Sequence, residues 1–205
     1  MSPDLLLDGD AAAPVTVALA HGAGAPMDSP FMAAFAQGLA ERGLRVARFE
    51  FPYMAGRRAA GSKRPPDRAP VLEAAWRAVI DHLGPGRLVI GGKSMGGRIA
   101  SMVADDAGVR GLVCLGYPFH PPGRPEKTRV AHLETLRTPT LILQGTRDPL
   151  GNADEVPGYP LSPAIRVHWL ADGDHGLKPR KASGRTEAGN WAEAMDAIAE
   201  FARRL

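Results

Sequence analysis

Short runs of consecutive apolar residues alternate along the chain with stretches in which apolar positions recur every three or four residues. The runs VTVALA (15–20), LRVARFEF (44–51), RLVIGG (87–92), GLVCLGY (111–117), PTLILQG (139–145) and AIRVHWL (164–170) predict strands. Several are apolar at successive positions, the pattern of strands covered on both faces. Between them the spacing predicts helices. Ser29 is placed to cap one, with Pro30 at its first position, Phe31, Met32, Phe35 and Leu39 near one face, and Gly43 as the stop. Val71, Leu72, Ala75, Trp76, Val79, Ile80 and Leu83 form the strongest amphipathic pattern, ended by Gly-Pro-Gly. Burying each of its larger side chains contributes roughly 1.5–3 kcal/mol, so this helix belongs against a sheet. A last helix, from about Ala188, aligns Trp191, Met195, Ile198 and Leu205 along one stripe.

Strand, helix and strand repeated in this way imply right-handed crossovers and an α/β fold: a mostly parallel sheet of six or seven strands with helices on both faces. Ligands of such sheets bind beyond the carboxyl ends of the strands. Function is therefore expected in the loops HGAGAPMDS (21–29), PYMAGRR (52–58), GKSMGG (92–97), PFHPPGR (118–124), TRDPLG (146–151) and DGDHGL (172–177).

Composition narrows this picture without redirecting it. At 205 residues and 44% hydrophobic content the chain suits a single domain, 1–205, because two would each be short of core. The N-terminal MSPDLLLDGD carries acids where a secretory leader carries Lys or Arg, and no apolar stretch approaches a membrane span. The lone Cys114 excludes an internal disulfide and a cysteine-built metal site. A cytoplasmic protein without metal or cofactor is expected. The net charge of +3 says little about partners. RRAAGSKRPPDR (57–68) and KPRKASGR (178–185) are basic, lack hydrophobic periodicity and read as solvated surface loops, with a pocket for an anionic substrate as the alternative. A nucleic-acid surface would present a longer stripe with interleaved aromatics, so nucleic acid is not an expected partner.

The chemistry centres on GGKSMGGRIAS (91–101). Gly92, Lys93, Ser94, Met95 and Gly96 fit G-x-S-x-G at a strand-to-helix junction, where a sharp turn exposes the serine hydroxyl and the N–H of Met95 faces a developing oxyanion. A phosphate-binding glycine loop is the rival, but the run does not match G-x-x-x-x-G-K-[S/T] and does not open a dinucleotide unit. A serine needs a base, and the base needs an orienting acid. His82 and His168 fall within a predicted helix and strand, and His132 at the start of a helix. His21 and His120 lie near the cleft edge, whereas His175, between glycines in a polar loop after the last strand, can reach in from above. Asp148 follows an apolar strand by a short turn and is the expected acid; Asp172 and Asp174 are rivals whose closeness to His175 in the chain suits loop-shaping bonds instead. The second oxyanion donor is expected in HGAGAP, from Ala23 first and Gly22 or Gly24 next. Losing one such donor typically costs about 2.7–4 kcal/mol of transition-state stabilisation.

Taken together, AHGAGAPMDSPFM, FPYM, GGKSMGGRIAS, YPFHPPGRPEKTR, LILQGTRDPLG and DGDHGLKPRK resemble the α/β-hydrolase superfamily over nearly the whole chain. More narrowly, the sequence is similar to a small hydrolase-like family that includes the hydrolase-like domain of a subunit of the chromatin-associated NSL complex; dienelactone hydrolases are more distant relatives. The resemblance implies a nucleophile at Ser94, an acid at Asp148, a base at His175 and an oxyanion loop at 21–24. It does not imply a substrate. The chain departs from larger hydrolases in having almost no N-terminal hairpin and no inserted cap domain, so short loops must wall the cleft. Tyr53, Met54, Phe119 and His120 are candidate contacts; Arg57, Arg58 or Arg129 could hold a carboxylate or phosphate, and Lys93 could raise the local potential or stand exposed at the elbow. The expected activity is hydrolysis of a small ester, thioester or lactone, a small-molecule acyl substrate. The alternative is a hydrolase-fold interaction module, with a protein partner and little catalysis.

Overall fold

The computed structural model describes residues 3–61 and 64–205; Met1, Ser2, Ser62 and Lys63 lie outside it, and with them part of the N-terminal stretch and of the basic run 57–68. Among the described residues the sheet has seven strands in the order β1-β3-β2-β4-β5-β6-β7. They are β1 (Leu5–Asp8), β2 (Thr16–Ala20), β3 (Arg45–Phe49), β4 (Leu88–Lys93), β5 (Gly111–Leu115), β6 (Thr140–Gly145) and β7 (Ile165–Leu170). All neighbours pair in parallel except β1 and β3. The helices are α1 (Pro30–Glu41), α2 (Pro52–Ala60), α3 (Ala69–Leu83), α4 (Met95–Ala107) and α5 (Glu187–Arg204).

The successive apolar positions of the inner strands serve two cores. Ala18, Ala20, Ile90, Leu112, Cys114 and Ile142 face the layer containing α3 and α4. Val17, Leu19, Val89, Val113, Leu115, Leu141 and Leu143 face α1 and α5. Adjacent residues of a strand point to opposite faces, so only a strand apolar throughout can fill both layers. Cys114 lies on β5 at 1% exposure, its thiol donating to the Gly97 carbonyl at 3.6 Å, and burial pushes the thiol pKa up.

Two elements were not expected. Strand β1 pairs antiparallel at the sheet edge, with Leu5 opposite Phe49 and Asp8 opposite Val46. Leu6 and Leu7 remain 36% and 52% exposed, and the strand is tied down by the Arg48–Asp8 ion pair at 2.8 Å. The second is α2, where the sequence predicts loop. Pro52 opens it, Tyr53 and Met54 are buried, the Tyr53 N–H donates to Asp67 Oδ2 at 2.9 Å, and Gly61 closes it at φ 64°. Smaller departures follow the same logic. Ser29 does precede α1, yet its side chain makes no capping bond, Val71 is 44% exposed, outside the buried stripe of α3, and His132 sits in a single 3-10 turn, Ala131–Leu133.

The fold aims its loops as parallel topology requires. Residues 116–139, between β5 and β6, carry no helix beyond that 3-10 turn, so nothing helical covers the carboxyl ends of β4 and β5 from this connection. Among the described residues no helix is long and apolar enough to cross a membrane.

Candidate active site

Strand β4 ends at Lys93 and α4 begins at Met95, leaving Ser94 alone to make the turn at φ 51°, ψ −113°. This is an unfavourable backbone for a residue with a Cβ, costing of order 1–3 kcal/mol, and the surroundings must hold it there. Gly92 and Gly96 make the turn sterically possible, because a Cβ at either would collide with the carbonyl of Ala20 on β2. Trp76 of α3 donates its indole N–H to Gly96 O at 3.3 Å and fastens the first turn of α4.

The loops after β6 and β7 converge on Ser94. His175 Nδ1 lies 2.8 Å from Asp148 Oδ2, and His175 Nε2 lies 2.9 Å from Ser94 Oγ. An ionised carboxylate can only accept, so Nδ1 carries the proton and Nε2 is free to accept from the serine hydroxyl. Asp148 is fully buried; its Oδ2 also accepts from Gln144 Nε2 at 2.9 Å and its Oδ1 from the Leu150 N–H at 2.8 Å. Gln144 also accepts the Tyr117 N–H and donates to Tyr117 O and Gly151 O, tying β6 to its neighbouring loops.

The His175 loop is pinned from α5. Asn190 donates to Ala171 O and Leu177 O, at 3.2 and 2.8 Å, and Trp191 Nε1 donates to Gly176 O at 3.1 Å. The two rival acids shape this loop. Asp174 Oδ1 accepts from the N–H groups of Gly176 and Lys178, while Asp172 pairs with Arg147 and Arg180, and the Arg180 bond holds its pKa at about 2.

On the other side of Ser94, Gly22, Ala23 and Gly24 line a cavity of about 430 Å³ together with Phe31, Lys93, Ser94 and His175. The N–H groups of Ala23 and Met95 donate to no protein group among the described residues. His21 does not reach substrate space. It is fully buried, its Nε2 accepts from the Phe51 N–H at 3.1 Å, and its Nδ1 donates to Gly22 O at 2.7 Å; burial lowers its pKa. Tyr53 is likewise a brace, donating its hydroxyl to Ala23 O at 3.1 Å. His21 and Tyr53 thus take up carbonyls of the 21–24 loop.

Other expected contacts also lie elsewhere. Phe119 and His120 are buried, at 0% and 3% exposure, with His120 Nδ1 donating to Pro121 O at 2.8 Å and its Nε2 facing Glu155. Arg57 is spent on the Arg64 carbonyl and the Tyr53 ring, and Arg58 on Asp28 and Glu50. A loop position tells where the backbone passes, and burial decides which way these side chains turn. Gln144, Asn190, Trp191 and Trp76 were missed as supports of the site; the readable signal was Asn190, a polar residue in register with Ala194 and Ile198 on a buried helix face.

A second Ser–His contact exists, Ser101 Oγ to His132 Nε2 at 2.8 Å. Ser101 is 2% exposed inside α4 and donates to Arg98 O. Among the described residues no carboxylate stands behind His132, and neither cavity beside Ser94 includes Ser101. Nor do three or more His, Cys, Asp or Glu side chains among the described residues gather so as to hold a metal ion.

The family model for the alpha/beta hydrolase domain matches residues 13–203. The chain belongs to the α/β-hydrolase family. Among curated proteins this hydrolase is 34% identical over 121 residues to ABHD14B of Rattus norvegicus, a candidate protein-lysine deacylase; the match spans 56% of this chain and 53%, about half, of that protein. Among solved structures the hydrolase is similar to a lidless α/β serine hydrolase from Xanthomonas campestris, with TM-score 0.71 and 21% identity over 98% of this chain and 88% of that one. A dienelactone hydrolase from Anabaena variabilis gives TM-score 0.71 and 18% identity over 98% and 90%. At these identities the likeness is one of fold.

Lys93 is the least ordinary charge of this hydrolase site. Half-buried beside Ser94, it donates to the His175 carbonyl and lies 5.6 Å from the Phe31 ring centroid. Burial lowers its pKa to about 8, against the opposing pull of Asp148 and Asp174. The folded chain therefore releases this proton earlier than the unfolded one, whose lysines titrate near 10.4. Between those values the unfolded state binds more protons, so this group makes stability rise with pH; the penalty is full below about 8. The stability of the native protein relative to Lys93→Met is accordingly expected to increase from pH 8 to pH 10 in urea titrations. A difference that stays flat across that window would contradict the burial of the ammonium.

Proposed function

We propose that this α/β hydrolase is a serine hydrolase, one domain throughout, that cleaves a small ester, thioester or lactone through an acyl-enzyme. The observation that carries the reading is the continuous chain of hydrogen bonds from Asp148 through His175 to Ser94 Oγ, at 2.8 and 2.9 Å, on a strained turn at a helix start.

Ser94 Oγ forms a bond to the carbonyl carbon while its proton passes to His175 Nε2. The carbonyl oxygen becomes an oxyanion that the N–H groups of Ala23 and Met95 are free to receive, assisted by the positive end of the α4 dipole. The carbon–leaving-group bond breaks as His175 returns the proton to the leaving alkoxide or thiolate. Water, deprotonated by the same nitrogen, then attacks the acyl-serine; the acid leaves and Ser94 recovers its proton. Asp148 keeps Nδ1 protonated and stabilises the imidazolium, without itself taking the proton. An amide leaving group follows the same path, which brings the deacylase designation of the rat relative within the reading. The lone buried Cys114 fits the cytoplasmic setting expected from the sequence.

A fluorophosphonate probe tests this directly. Covalent labelling of the peptide containing Ser94, lost in His175→Ala, is the expected result, with a panel of p-nitrophenyl, thioester and acyl-lysine substrates to separate leaving groups. A folded protein that repeatedly fails to label would overturn the proposal in favour of an interaction module.

A further inference from the structure

On the α3 side of Ser94 lies a second cavity, of about 400 Å³, whose lining includes Ser94, Met95, Leu72, Ile99, Arg98 and Arg129. Among the half-buried and buried arginines, Arg48 pairs with Asp8, Arg147 with Asp172 and Arg42 with Asp196, whereas Arg45, Arg57 and Arg110 form no ion pair among the described residues. Arg98 and Arg129 are not matched. Among the described residues neither guanidinium forms an ion pair, and Arg98 Nε is buried without any hydrogen-bond partner. Burial, and then the repulsion of Arg98, hold the Arg129 pKa below its usual value, so the two charges are close enough to oppose each other. Asp67 is the only acid among the lining residues, and its Oδ2 accepts from the Tyr53 N–H.

The position of this pair matters as much as its charge. Arg98 is one helical turn beyond Ser94, its N–H donating to Ser94 O at 3.0 Å, and both residues line this cavity. Two unmatched cations against an apolar wall are stabilised by an anion, and the planar guanidinium fork suits a carboxylate, which it can bind through two parallel hydrogen bonds.

We infer that Arg98 and Arg129 form a binding subsite for a carboxylate carried by the substrate, so that the preferred substrates are esters or thioesters with a free carboxylate a few bonds from the scissile carbonyl. This rests on the serine-hydrolase reading for the scissile carbonyl, whereas binding of the anion needs no catalysis.

The test compares kcat/KM for mono-p-nitrophenyl glutarate and p-nitrophenyl butyrate, which differ chiefly in the terminal carboxylate. The native protein is expected to prefer the glutarate ester, and that preference to fall about 10- to 100-fold in Arg98→Met and in Arg129→Met, each checked for folding by its thermal midpoint. Calorimetry on Ser94→Ala supplies the readout that does not depend on turnover: glutarate binds, and adding Arg98→Met or Arg129→Met weakens it about tenfold or more. A preference unmoved by both substitutions overturns the subsite, as does failure of Ser94→Ala to bind glutarate. Glutarate binding without turnover or labelling sinks the hydrolase reading and leaves the subsite standing; equal turnover of both esters without glutarate binding does the reverse. Inorganic phosphate displacing glutarate at lower concentration than acetate or succinate would overturn the carboxylate assignment in favour of a phosphate-bearing substrate.

Discussion

Replacing Ser94 with alanine is expected to lower kcat by roughly 10⁴- to 10⁶-fold, because under the proposed mechanism the acylating atom is gone while binding and the oxyanion donors remain. The double variant Ser94→Ala/His175→Ala should be no slower than the single one, since groups acting as a unit are lost as a unit. Turnover within tenfold of native in Ser94→Ala, or clear additivity in the double variant, would remove Ser94 from the mechanism. Stability supplies an independent check on the strained turn. Glycine tolerates φ near 51° without penalty, so Ser94→Gly should be inactive and yet more stable than the native protein by about 1 kcal/mol, read from the urea midpoint at unchanged slope. A gain in stability on deleting the reactive group would mean that the fold holds this serine in place at a cost.

Trp76→Ala is expected to destabilise the protein by about 3–5 kcal/mol, a large share of the 5–15 kcal/mol typical of a domain. Trp76 is fully buried, meets Phe49 edge to face at 4.7 Å and donates to Gly96 O. Alanine leaves a cavity between α3 and the sheet and removes the side-chain donor to the Gly96 carbonyl in the first turn of α4. Trp76→Phe separates the two effects. It fills much of the volume but cannot donate, so the cost should fall to about 1–3 kcal/mol, and activity should drop further than stability accounts for. If Trp76→Phe matched native activity, the indole N–H would have no part in shaping the elbow.

The parallel core was legible because each of its strands must be apolar on both faces, a pattern that continuous runs such as TLILQG announce. That Ser94, Asp148 and His175 come within hydrogen-bond reach of one another could be anticipated because each follows a strand end by a short turn, where the parallel topology gathers loops. Strand β1 was not, since Leu5–Asp8 has only four residues and its outer face is wet; it exists because the edge of β3 offers it hydrogen bonds and Arg48 offers an ion pair. Helix α2 was hidden for a related reason, as only Tyr53 and Met54 supply an apolar face and its ends depend on Pro52 and Gly61. His21, Phe119 and His120 stand in loops that border the cleft, yet burial turns all three inward. Arg98 went unnoticed because it reads as the polar side of a helix, and only tertiary packing of Arg129 against the same cavity gives it a setting.

The buried thiol of Cys114 makes the chain its own stopwatch. A disulfide reagent such as DTNB can reach this sulfur only when the middle of the sheet opens, because it is the sole cysteine and lies on β5 between β4 and β6. With reagent in excess, the single yellow thiolate released per chain counts opening events: at low reagent its rate scales with the open population, and at high reagent it levels off at the opening rate itself. Each substitution discussed above can therefore be timed through one atom, in native buffer and without denaturant.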